Sequence, residues 1–268
     1  MILFPNAKIN LGLHILSKRE DNFHNLETLM YPIGLSDILE FLPTKAGESS
    51  LQVSGITISG DAKENLVYKA YVLLKEKYNL PEIQIHLHKQ IPAGAGLGGG
   101  SSDAAFMLKG LNTFFKLNLS IDDLKEYASK LGSDCSFFIE NKAAIATGRG
   151  EILENNDISL EKYKIRLYFP DFQVSTKEAY SGVIPDSKRN SLNNVLRSGI
   201  GNWEKSLQND FEKTIFLKYS ELAELKAKLY QNGAIYSSMS GSGSAVFGIF
   251  EKNAKLSEEL KKYLVWEG

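Results

Sequence analysis

The sequence predicts a chain that mixes strands and helices in two halves, the second ordered as a ferredoxin-like domain. Three observations carry this. The first half alternates between two-residue and helical apolar periods. A polar, turn-rich stretch around Glu151 to Glu161 reads as a seam. Beyond it the order is strand, helix, strand, strand, helix, strand, which is the split βαβ arrangement. The expected division is therefore residues 1–155 and 156–268.

The elements follow in chain order. From Ala7 to Leu16, Ile9, Leu11, Leu13 and Ile15 share one face while Lys8, Asn10, Gly12 and His14 share the other. That is a half-buried strand. Tyr31–Leu35, Ile38–Pro43, Leu51–Ser54 and Ile83–His88 read as further strands. Asn65–Lys77 has helical spacing through Leu66, Ala70, Leu73 and Leu74, and Ser101–Phe115 through Ala104, Ala105, Leu108 and Leu111. Ile121–Leu131 is a third helix, with Gly132 as its stop. After the seam come a strand at Ile165–Phe169, a short helix opening at Ser175 or Thr176 and a polar connection near Asp186–Asn190. A longer helical region ends near Gly233. Ala234–Met239 and Ala245–Phe250 flank SGSGS as a hairpin, and a charged helix and a YLVW stretch finish the chain.

Composition limits the function classes. The 268 residues are 43% hydrophobic and 24% charged, as in ordinary globular proteins. The net charge of -1 supplies no field for nucleic acid or an anionic membrane, so an anionic ligand needs a local cradle. Cys135 is the single cysteine, which forbids an intrachain disulfide and fits a reducing compartment. Lys8 and Asn10 interrupt the apolar start, which lacks the basic region of a signal peptide. No apolar run reaches membrane-spanning length. The cytoplasm is the expected location.

The least ordinary stretch is AGAGLGGGSSDAA, Ala93 to Ala105. Successive backbone N–H groups at a helix start form an anion site, and glycines allow the close approach. A strand leads in and an apolar-striped helix leads out, so a phosphate cradle fits better than a flexible linker. Gly94 to Gly99 match G-x-G-x-x-G, but the acidic residue of a dinucleotide site is missing at Lys116 to Asn118. No Gly-Lys-Ser/Thr follows, which excludes a P-loop. The cradle belongs to a third nucleotide-binding design.

Three segments in order, PNAKINLGLHILSKREDNFHNLETLM, IPAGAGLGGGSSDAA and MSGSGSAVFGIF, resemble the GHMP small-molecule kinases. ENLVYKA, LGSDCSFF, ATGRGE and NDFE narrow the resemblance to the branch acting on a cytidine diphosphate-linked methylerythritol in non-mevalonate isoprenoid synthesis. The similarity runs from Ala7 to Phe250. It implies an α+β, two-domain GHMP kinase fold: an N-terminal domain like ribosomal protein S5 domain 2 that holds ATP, and a ferredoxin-like C-terminal domain. It also implies ATP as donor, Mg²⁺ with it, and a small-molecule acceptor. No nucleic acid or membrane partner is expected, and the chain is expected as a monomer or homodimer.

Residue by residue, the resemblance makes Lys8 and Asp134 catalytic. The amine would favour an alkoxide and offset developing charge, and the carboxylate would take or orient the hydroxyl proton. Solvation of Lys8 and helix capping by Asp134 are the plain alternatives. The resemblance gives the ATP phosphates Pro92, Ala93, Gly94, Ala95, Gly96, Leu97, Gly98, Gly99, Gly100, Ser101 and Ser102. It places Asn65 and Lys89 near the adenine, and Asn65 is equally an N-cap candidate. It gives the acceptor Asn10, Phe23, His24, Thr176 and Tyr180, with the aromatic of Tyr180 against the cytosine. Phe23 stands where tyrosine is common, and Asp103 where many relatives have asparagine. Ser101 and Ser102 also read as helix caps, and SGSGS as a support for the glycine loop. No protein ligand is assigned to a metal, and Cys135 reads as a buried small residue.

Other readings predict different behaviour. Another GHMP kinase would turn over mevalonate, homoserine or a sugar. A nicotinamide-dependent oxidoreductase would bind NAD(H). A nucleotide sensor would bind ATP without turnover.

Overall fold

β1 (Ile2–Leu3), β2 (Asn6–Lys18), β3 (His24–Ser36), β4 (Ile38–Pro43) and β5 (Ser50–Gly55) open the chain. α1 (Leu66–Tyr78), β6 (Ile83–Lys89), α2 (Gly99–Phe114), α3 (Ile121–Leu131) and the short α4 (Phe137–Glu140) follow. Then come β7 (Ala144–Thr147), β8 (Ile152–Asn155), β9 (Tyr163–Tyr168) and α5 (Thr176–Ser181). α6 (Leu192–Arg197), α7 (Trp203–Ser206), α8 (Phe211–Lys218) and α9 (Ser220–Gln231) precede β10 (Tyr236–Met239), β11 (Val246–Glu251) and β12 (Leu264–Glu267). This is a computed structural model, and it describes residues 1–45, 47–58, 60–170 and 172–268.

The chain divides into two units that are not consecutive segments. Unit one is Met1–Lys8, Pro32–Ala93 and Gly98–Lys142; unit two is Ile9–Tyr31, Gly94–Leu97 and Ala143–Gly268. Ile9–Tyr31 belong to unit two with the later residues.

Unit one contains the sheet β1-β4-β6-β5. β4 pairs antiparallel with β6, and β5 parallel with it. α1 and α2 pack against each other. α1 starts where the Asn65 side chain accepts from Val67 N and stops at Asn79 in the left-handed region. α3 carries a reciprocal capping box between Ser120 and Asp123, and Gly132 ends it. Ala104, Ala105, Leu108 and Leu111 of α2 are buried, as their spacing predicts.

Unit two contains most of the sheet β2-β3-β7-β8, with residues 9–18 of β2 and 24–31 of β3, and the sheet β10-β11-β9-β12. In the second, β9 lies between β11 and β12, and every pairing is antiparallel. That is the ferredoxin-like order predicted from the sequence, with helices connecting β9 to β10 and a 3₁₀ segment between β11 and β12. The core here joins Tyr168, Leu222, Leu225, Leu229, Val246 and Phe250.

Four differences from the sequence reading have local causes. The strand expected at Tyr31–Leu35 is the end of β3, which begins at His24. Polar residues hide its first half, and they are used: Thr28 Oγ1 donates to Gly12 O, and Glu27 accepts from Leu192 N. The polar seam contains β8, an edge strand with little apolar surface to cover. The long helical region is four helices, broken at Gly199–Asn202, Leu207–Asp210 and Tyr219. The charged terminal helix is a 3₁₀ segment, Glu258–Tyr263, and YLVW ends as β12.

Candidate active site

In unit one, the strand period turns Lys8 away from the apolar face of β2. Its side chain is 4% exposed, and Nζ lies 3.4 Å from Asp134 Oδ2. Asp134 follows the stop of α3 and stands outside α4, whose N-cap is Ser136. The two residues expected to do chemistry therefore meet as an ion pair. A partly buried cation and carboxylate can stabilise a developing alkoxide and receive its proton.

The glycine loop leads into α2 through Gly98, which occupies the cap position at φ +69° with no side-chain cap bond. A Cβ there would meet the Phe138 ring at 3.0 Å and Lys8 Cε at 3.2 Å, so only glycine fits. Ser102 N donates to Gly98 O at the start of the helix. This corrects one expectation: Ser101 and Ser102 lie inside the first turn and do not cap it. The N–H groups ahead of them have no side-chain cap, as an anion cradle requires. Ser102 Oγ is buried and without a partner.

Lys89 ends β6 with its amine held by Asp37 and Asp103; Asp103 Oδ2 accepts at 2.7 Å. Burial pushes the Asp103 carboxyl up to about 8, with Lys89 opposing and Asp37 adding to the rise. Burial pulls the Lys89 amine down, but the two carboxylates outweigh it and the net direction is up. The ammonium stays charged. Asn65 uses its Oδ1 as the α1 cap, 2.9 Å from Val67 N. Pro92 is buried and Ala93 partly so. Burial pushes the Cys135 thiol up to about 11, against a hydrogen bond with Ser101. The side chains of His86 and His88 each meet Ser54 Oγ at 2.9 Å. Among the described residues no three His, Cys, Asp or Glu side chains gather as a metal cluster.

In unit two, the loop segment Gly94–Leu97 is seated on the SGSGS turn. Ser240 Oγ donates to Gly96 O at 2.9 Å and accepts from Asn10 N at 3.2 Å. Ala245 N donates to Ala95 O. Gly96 has φ +76°, and a Cβ there would fall 1.9 Å from Ser240 O. Asn10 is buried, and its Nδ2 donates to Thr28 Oγ1 at 3.0 Å.

His24 and Tyr180 stack with ring centroids 5.0 Å apart and planes 23° apart. Tyr180 also meets Phe211 edge-on. Burial, then Lys18, lowers the pKa of His24. Phe23 is 54% exposed, and the Arg149 guanidinium lies 5.0 Å over its ring. The cap of α5 is Ser175, so Thr176 is free of that role; its hydroxyl is 3.4 Å from that of Ser242.

Sequence reasoning did not give Asn209, Asp210 and Glu212 a task. Asn209 Nδ2 donates to Met239 O and Gly241 O, both at 2.8 Å. Glu212 accepts from Met239 N and Ser238 Oγ, and Asp210 accepts from Ile15 N. Asn209 and Glu212 thereby fix the strand entering the SGSGS turn, and Asp210 holds β2. The NDFE motif was the signal, but its partners lie far along the chain.

Residues 65–142 match the GHMP kinases N terminal domain, and 191–265 match GHMP kinases C terminal. A 4-diphosphocytidyl-2-C-methyl-D-erythritol kinase of Bacteroides fragilis is 50% identical over 260 residues, covering 96% of this chain and 95% of its own. One of Azobacteroides pseudotrichonymphae is 51% identical, covering 94% of each chain. A crystal structure of 4-(cytidine 5'-diphospho)-2C-methyl-D-erythritol kinase superposes with TM-score 0.84 at 34% identity, covering 100% of this chain and 98% of that one. The Methanococcus jannaschii mevalonate kinase, at 14% identity and TM-score 0.68 with 98% and 93% coverage, shares the fold. The chain belongs to the GHMP kinases and, within them, to the 4-diphosphocytidyl-2-C-methyl-D-erythritol kinase family.

Proposed function

We infer that the protein transfers the γ-phosphoryl group of ATP to the 2-hydroxyl of 4-diphosphocytidyl-2-C-methyl-D-erythritol, a step of non-mevalonate isoprenoid precursor synthesis. The observation that carries the chemistry is the approach of Lys8 to Asp134 at 3.4 Å. Asp134 accepts the hydroxyl proton as the new oxygen–phosphorus bond forms. The bond from Pγ to its bridging oxygen breaks, and ADP leaves with that electron pair. Lys8 stabilises the alkoxide and the charge spreading over the transferring group.

The N–H groups at the start of α2 and the bare backbone of 94–100 hold the phosphates. Mg²⁺ arrives on ATP as part of that substrate, and no protein ligand is assigned to it. Asn65 and Lys89 serve the adenine end. His24 and Tyr180 supply flat surfaces for the cytosine, with Phe23, Asn10 and Thr176 lining the acceptor. The stacked His24–Tyr180 pair supports this, since a pyrimidine stacks on such rings. Along the sequence the boundary near residue 155 falls between the two matched family segments, with ATP binding assigned to the first.

A coupled ADP-release assay tests the reading. Turnover is expected with the cytidyl substrate and not with mevalonate or homoserine. Turnover with mevalonate alone reverses the substrate assignment, and tight NADH binding without ATP binding removes the kinase reading.

A further inference from the structure

Lys89, Asp37 and Asp103 form a buried cluster of one cation and two carboxylates, their side chains 4%, 0% and 1% exposed. Each comes from a different element. Lys89 is the last residue of β6, directly ahead of the glycine loop. Asp37 lies in the turn between β3 and β4, and Asp103 one turn into α2. Asp37 is fixed in orientation, because its Oδ1 accepts from Gln90 N at 2.6 Å and Ile91 N at 2.9 Å. Its other oxygen accepts from Lys89 Nζ. Asp103 Oδ2 accepts from the same amine, while Asp103 Oδ1 is buried without a partner.

The amine is also placed against the loop. A Cβ built on Gly99, the first residue of α2, would lie 3.3 Å from Lys89 Nζ. Two of the three ammonium donors are taken, which leaves one. A lysine amine rides on a flexible four-carbon stem, so its position depends on what holds it. One carboxylate fixes a direction; a second, from the helix itself, ties that direction to the loop.

We propose that Asp103 is a positioning residue of the nucleotide subsite: with Asp37 it holds the Lys89 ammonium beside bare Gly99, leaving one donor for ATP. This rests on the kinase reading and on Lys89 serving the nucleotide. Asp103 pairs with the Lys89 amine, and it acts on the nucleotide through that amine.

The test compares the parent with Asp103→Ala and Asp103→Asn in steady-state kinetics, ADP calorimetry and thermal unfolding. Asp103→Ala is expected to raise the KM for ATP and weaken ADP binding about tenfold, with kcat and the acceptor KM within about twofold. Asp103→Asn keeps an acceptor oxygen and is expected to recover most of that loss. In a Lys89→Met background, Asp103→Ala should add nothing further to the KM for ATP. A folded Asp103→Ala protein with the parent's KM for ATP overturns the assignment. So does a joint loss of kcat and both substrate affinities, or an Asp103→Asn protein as impaired as Asp103→Ala. If Lys89→Met does not fold, the two Asp103 variants decide alone. A parent protein that binds and turns over no ATP refutes the kinase reading instead.

Discussion

Replacing Asp134 with asparagine separates chemistry from structure at one position. Asparagine keeps the shape and offers Lys8 an oxygen, but it removes the charge and the proton acceptor. The structural cost follows from the geometry. Two unit charges 3.4 Å apart attract by about 5 kcal/mol at an effective dielectric of ~20, before any desolvation is subtracted. Asp134 is 29% exposed at its side chain, so water already screens part of this. The net loss of stability should be roughly 1–2 kcal/mol, a fall in Tm of roughly 2–8 °C. The chemical cost is larger. Losing a positioned proton acceptor lowers kcat by about 10²- to 10⁴-fold, or roughly 3–5 kcal/mol of barrier. The assay is single-turnover phosphoryl transfer beside ATP-analogue calorimetry and thermal unfolding. The expected result is a collapse of kcat with nucleotide affinity within about threefold. A kcat within tenfold of the parent in a folded protein would falsify the catalytic assignment, and equal loss of kcat and ATP affinity would reduce Asp134 to a structural residue.

Three further outcomes follow from the same geometry. Gly96→Ala puts a Cβ 1.9 Å from Ser240 O at φ +76°, so the loop must shift; ATP affinity should fall by at least about tenfold while the acceptor KM changes less. Unchanged ATP binding would refute that placement. Tyr180→Ala removes the ring stacked on His24 and should raise the acceptor KM by about 3- to 10-fold without altering the KM for ATP. Calorimetry with CDP checks it, and an equal effect on both substrates counts against the base assignment. Burial holds His14 down at about 4, so the folded state binds fewer protons than the unfolded chain between pH 4 and 6.5. Its contribution is complete above pH 6.5 and is lost as pH falls toward 4, about 3 kcal/mol in all. Urea denaturation across this range should show that slope, and His14→Phe should flatten it; an unchanged slope would refute the origin in His14.

The local pattern alone determined the elements whose signals lie within a few residues. The strand at Ala7–Leu16, Gly132 as the stop of the third helix, and SGSGS between two apolar runs all reappear, but the strand is buried on both faces and not half-buried, because its polar face too is covered. Backbone conformation answers to neighbours along the chain, so such signals are legible in one dimension. The glycine loop was legible for the same reason, since positive φ and close backbone approach leave few residue choices. Mixed or polar stretches were not. The first half of β3 and all of β8 are strands because partners beside them complete their ladders. What only tertiary structure decided is which distant side chains meet: Lys8 with Asp134, Lys89 with Asp37 and Asp103, His24 with Tyr180, and Asn209 with the SGSGS turn. Their spacing along the chain carries no sign of the pairing, because a buried charge or amide is satisfied by whatever the packed core brings to it.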